Sequence, residues 1–93
     1  MEMNIDQEAV KEFLVESGCE DAIVFQNPDY ARAFIGHDWK GRAVYNFDEM
    51  IQCLMTDDHM TYDEAADYVL YNTLRATDYM GDMAPIVLFS DAL

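Results

Sequence analysis

Apolar positions along this chain come in short blocks, and the spacing within each block changes from helical to extended and back. Val10, Phe13 and Leu14 recur at i, i+3 and i+4, which predicts an amphipathic helix over 6–17. Asn4 or Asp6 can cap its start, and Gly18 stands where a helix commonly stops. Ala22, Ile23, Val24 and Phe25 form an unbroken apolar run, read as a buried strand near 22–25. Asn27-Pro28-Asp29 is turn chemistry. Runs near 33–37 and 42–46 flank a polar stretch that ends at Gly41. They predict a β-hairpin, with Gly41 supplying the positive φ of a bulged turn.

The second half of the chain is mostly helical in pattern. Phe47, Met50, Ile51, Leu54 and Met55 make one apolar stripe, so a helix is expected over 47–57. Asn46 and Glu49 at its start form a variant of the capping box. Thr61 and Glu64 carry the full capping-box spacing before a helix over 62–76, whose core face is Ala65, Ala66, Val69 and Leu70. Gly81 and Pro85 punctuate its end, and a last strand is expected near 85–89. The order is αβββααβ. The expected fold is α+β: a small antiparallel or mixed four-stranded sheet with three helices on one face. Residues 1–93 are expected to form a single domain.

Composition alters this picture through charge. Asp and Glu supply 19 residues against five Lys and Arg, a formal net charge of -14. Acidic chains are often disordered because they lack apolar residues to bury. Here 52% of residues are hydrophobic and 13% aromatic, so a packed core is available and the charge must lie on its outside. Such a surface repels nucleic acid and anionic membrane and attracts basic surfaces. Neither a direct nucleic-acid contact nor a membrane contact is expected. No apolar run is long enough to span a bilayer, and Met1 to Asp6 lack the pattern of a signal peptide. Cys19 and Cys53 have no metal-binding spacing and read as free thiols of a reducing compartment. The expected location is the cytoplasm of a host cell.

The acids are also patterned. Glu8, Glu12 and Glu16 recur every four residues, and Glu20 keeps the same spacing past the expected helix. Four helical residues rise about 6 Å, close to the spacing of phosphates along a nucleic-acid strand. Asp57, Asp58, Asp63, Glu64 and Asp67 form a second group. A solvated helix face ordinarily mixes both signs, and like charges at i, i+4 cost a helix a few tenths of a kcal/mol per pair. Both groups are therefore candidate partner-binding residues. Trp39, at the hairpin tip, is the candidate apolar anchor, because tryptophan is enriched among interface hot spots; the alternative is a ring folded back over the hairpin.

Candidate chemistry is sparse. Asp57, Asp58 and His59 are suitable metal ligands by type, but adjacent side chains in a loop point apart. His37 and Asp38 have no nucleophile-elbow pattern near them. Glycine-rich phosphate loops are absent. No catalytic residue, metal or cofactor is expected. Asn72 and Thr73 interrupt an otherwise regular helix. They read either as a recognition site with Arg75, or as a buried Asn72 satisfying the sheet edge while Arg75 pairs with an acid.

Four stretches carry a resemblance: Asp21 through Phe25 with Asn27 through Tyr30, Gly41 through Met50, Tyr71 through Arg75, and Ala84 through Val87. Over residues 21–89 the chain resembles a family of short acidic, largely uncharacterised proteins of Gram-positive bacteria, their phages and mobile elements. The resemblance implies an accessory or host-interaction protein and carries over no catalytic residue. With the charge, it leads to the expectation of a DNA-mimic inhibitor occupying the basic nucleic-acid site of a protein. The most specific form is an anti-CRISPR protein blocking an effector nuclease, which holds nucleic acid in a positively charged channel. The alternative is a non-enzymatic adaptor of a phage or mobile element that binds a host protein through the hairpin and third helix. A metal-assisted hydrolase using the Asp57-to-His59 loop ranks last.

Overall fold

The computed structural model describes residues 6–89. Helix α1 spans Gln7–Glu16. Asp6 caps it, its carboxylate accepting from the Ala9 amide at 2.8 Å; Asn4, the other predicted cap, lies outside the described residues. The helix ends as the sequence requires. Gly18 takes φ 80°, its amide donates to the Val15 carbonyl, and the Cys19 amide donates back to Leu14 at 2.7 Å. These two bonds satisfy carbonyls that a helix end leaves open. Val10 and Leu14 are buried, whereas Phe13 stays at the rim, edge-on to Phe34 with ring centres 5.7 Å apart.

A short 3-10 turn, Ala31–Ala33, leads into β1, Phe34–His37, and a tight turn joins β1 to β2, Ala43–Asn46. Helix α2 follows directly as Phe47–Asp57, with the Asn46 side chain accepting from the Glu49 amide. The next helix begins at a complete capping box of Thr61 and Glu64. It runs as α3, Tyr62–Tyr68, through a wide π turn, Val69–Thr73, into α4, Leu74–Thr77. The core positions explain the wide turn. Ala65, Val69 and Thr73 are buried at four-residue intervals. A strict four-residue repeat drifts around a helix of 3.6 residues per turn, and a wider turn takes up the drift. Strand β3, Ile86–Leu88, closes the fold.

The predicted four-stranded sheet of order αβββααβ is corrected to a three-stranded mixed sheet, in an α+β fold of order αββαααβ. Strand β2 is central, antiparallel to β1 and parallel to β3. A parallel pair needs a long crossover, and the α2-to-α4 segment provides it. Residues 22–25 are not a strand. Their amides bond to scattered acceptors: Ala22 to the Cys19 carbonyl, Ile23 to Met83 at 3.4 Å, and Phe25 to the Tyr45 hydroxyl oxygen at 3.3 Å. The apolar run is there to bury Phe25, not to pair with a neighbouring strand.

The core is aromatic at its centre. Tyr45 projects from β2 onto Phe25 and Phe34, with ring centres 4.9 and 5.6 Å away. Tyr30 is fully buried and shares a 2.8 Å hydrogen bond with the Thr73 hydroxyl. Burial pushes both tyrosine hydroxyls up to about 12. Met50, Ile51 and Leu54 of α2 complete the packing, together with Val10 and Val69.

Candidate functional site

Helix α1 displays the first acidic row. Because Val10 and Leu14 face the core, Glu8, Glu12 and Glu16 are all turned to solvent. None of the three has an ion-pair partner among the described residues, and Lys11 is the only cation in the helix. Glu8 gains from its place in the first turn, where the positive end of the helix dipole lies. Glu12 and Glu16 have no such compensation.

The second acidic group spreads over the end of α2 and the start of α3, and its members differ. Asp57 bonds the Arg32 guanidinium at 2.8 Å, with both side chains about half exposed, an arrangement worth little to stability. The Glu64 carboxylate accepts from the Thr61 amide at 2.9 Å while the Thr61 hydroxyl oxygen accepts from the Glu64 amide. Those bonds hold the Glu64 carboxyl below its usual range. Asp58, Asp63 and Asp67 are exposed. Two of the five acids therefore hold local structure together.

The hairpin tip is organised by Asp38. One carboxylate oxygen accepts from the Lys40 and Arg42 amides at 3.0 and 2.9 Å, and the other pairs with the Arg42 guanidinium at 2.6 Å. Its hydrogen bonds to Arg42 and Lys40 hold the Asp38 carboxyl below its ordinary value. Gly41 takes the positive φ of 84° that the turn needs. The His37 ring meets the backbone carbonyl of Asp38, not its carboxylate. With Asp38 so engaged, Trp39 projects outward, 87% exposed, and the Lys40 ammonium lies 5.3 Å from the centre of its ring.

Other sequence candidates are dispersed. Among the described residues no group of three His, Cys, Asp or Glu side chains could hold a metal ion. His59 takes φ 56° where the chain leaves α2. Cys19 and Cys53 are both buried free thiols, and burial pushes the Cys53 thiol up. One of the two expectations for Asn72 is a buried polar residue in the third helix. Asn72 is exposed, and its neighbour Thr73 is buried instead. Arg75 has no ion pair among the described residues. The signal for the π turn was the Asn72-Thr73 interruption, but the sequence did not say which of the two turns inward.

No protein-family model, curated protein or solved structure matches this chain. No helix among the described residues is long and apolar enough to cross a membrane.

Proposed function

We propose that this protein is a non-enzymatic inhibitor that presents its acidic surface to the basic nucleic-acid-binding site of another protein, as a DNA mimic. A CRISPR effector nuclease in the cytoplasm of a host cell is the most specific target of this kind. The observation that carries the reading is the row of Glu8, Glu12 and Glu16. These carboxylates are exposed, and among the described residues they have no ion-pair partner, on a chain of net charge -14. They repel one another at i, i+4, so they weaken the helix that displays them. Charge of this density steers association with basic surfaces.

The test is competition. A guide-loaded CRISPR effector nuclease is titrated with the protein and its cleavage of a target duplex is followed. Inhibition that weakens as salt or unlabelled duplex rises supports mimicry. Undiminished cleavage at protein in large excess removes this nuclease class as the target.

A second reading, an adaptor binding a host protein through the hairpin and third helix, draws on the exposed aromatics. Trp39 stands at the hairpin tip, and Tyr62 and Tyr71 lie exposed on the third helix. Salt-insensitive capture of a partner without a basic channel favours the adaptor.

A further inference from the structure

We propose that the recess between the Asn27–Pro28 turn and the third helix is a socket for one arginine side chain of a basic protein partner. The inference rests on the acidic-surface reading and adds a specificity element to it. The recess encloses about 230 Å³, below the ~300 Å³ at which ligand pockets usually begin, so it suits a single long side chain. Phe25, Pro28 and Met80 give it an apolar lining, and Tyr68, Asn27 and Asn72 add polar groups. Neither carboxamide nor the Tyr68 hydroxyl has a hydrogen-bond partner among the described residues.

The chemistry selects the occupant. A methylene stem packs on the apolar lining, while carboxamide oxygens accept N–H groups. A guanidinium is flat and weakly hydrated, and it stacks on aromatic rings such as Tyr68. The surrounding field selects the sign. None of the described residues lining the recess is charged. Across the same Asn27–Pro28 turn lies a second hollow bearing Asp29, Asp57 and Asp58, and Arg32 pairs with Asp57 there. A cation is drawn in, whereas a phosphate or carboxylate is repelled. Lysine is a poorer fit, because its compact ammonium holds water more tightly and cannot stack. The π turn belongs to the same construction. It carries Thr73 into the core against Tyr30 and leaves Asn72 at the recess. Turns of this kind recur at functional sites.

The experiment uses the full-length isotopically labelled protein and the capped peptide acetyl-Gly-Arg-Gly-amide, followed by NMR. The controls are the same peptide with citrulline, which keeps the shape and lacks the charge, and with lysine. The arginine peptide should shift the side-chain amide signals of Asn27 and Asn72 saturably. It should bind about tenfold more tightly than the citrulline peptide, which lacks the charge-assisted contact, and more tightly than the lysine peptide, whose ammonium cannot stack. Ala76 also lines the recess, so Ala76→Phe should fill it and abolish the shift. Asn72→Leu, at an exposed position, should weaken binding and provides the second variant if Ala76→Phe fails to fold. Equal affinity for arginine and citrulline peptides overturns the socket. So do shifts confined to α1, or undiminished binding by Asn72→Leu. The peptide reads the recess independently of the acidic row. A failed socket beside a Glu8, Glu12 and Glu16→Gln variant that still loses nuclease inhibition leaves the mimic reading in place. A working socket in a protein that inhibits no nuclease overturns only the mimic.

Discussion

Replacing Thr73 by valine keeps the shape of a buried side chain and removes its hydroxyl. Tyr30 is fully buried, and the Thr73 oxygen 2.8 Å away is its hydrogen-bond partner. The substitution leaves the phenol in the core with nothing to bond. An unsatisfied buried group of this kind costs about 1–3 kcal/mol. The valine methyl occupies nearly the same volume, so no cavity term is added. In a domain of this size each kcal/mol moves the melting temperature by about 4–8 °C, so Thr73→Val should melt at least about 4 °C below the parent. The double variant Tyr30→Phe/Thr73→Val supplies the internal check. Removing both partners is nearly neutral, so it should recover most of the loss, a non-additivity expected of groups in direct contact. Urea titrations of the parent, the two single variants and the double variant measure the cycle. A Thr73→Val protein as stable as the parent, or a double variant that loses the sum of the singles, refutes the reasoning.

Three further outcomes follow from the same contacts. Tyr30 and Tyr45 have hydroxyls raised to about 12 by burial, whereas unfolded tyrosine titrates near ~10. Unfolding therefore releases protons above pH ~10. The contribution of these two residues is complete below that pH and lost as the pH rises through about 12. Urea midpoints between pH 8 and 11.5 should be flat and then fall; a midpoint that rises over the upper part of that range contradicts it. Thr61→Ala removes the hydroxyl half of the capping box and should cost about 1 kcal/mol, read by thermal unfolding. Trp39→Ala should leave the melting temperature unchanged, because the ring is 87% exposed. It should weaken binding to a true target about tenfold or more, as the loss of an aromatic hot spot does; a stable variant with full affinity removes the hairpin tip from the interface.

Local signals were the legible part of this sequence. Phe47, Met50, Ile51 and Leu54 repeat with helical spacing behind an Asn46 cap, and α2 forms over Phe47–Asp57. The hairpin was readable because Gly41 marks its turn. The difference at 22–25 has a physical source: an apolar run predicts burial, here complete only at Phe25, and burial does not reveal whether the amides will find a neighbouring strand. The parallel pairing of β2 with β3 was equally hidden, since it joins residues that an entire helical crossover separates. The row of Glu8, Glu12 and Glu16 was legible, and α1 turns it outward as its apolar spacing requires. The recess at Asn27 and Asn72 could not be seen, because it exists only when a turn early in the chain packs against the π turn.

The row of acids in α1 is the most direct ground for mimicry, and association kinetics test it. Glu8, Glu12 and Glu16 are replaced together by Gln, and binding to the guide-loaded nuclease is followed at two salt concentrations. The fold should hold or gain a few tenths of a kcal/mol per relieved pair. The association rate should fall about tenfold or more at low salt, with the dissociation rate little changed, and the gap should narrow at high salt as screening removes the steering. A triple variant that associates at the parent rate at both salt concentrations contradicts the central claim, and the row is then no more than a solvated helix face.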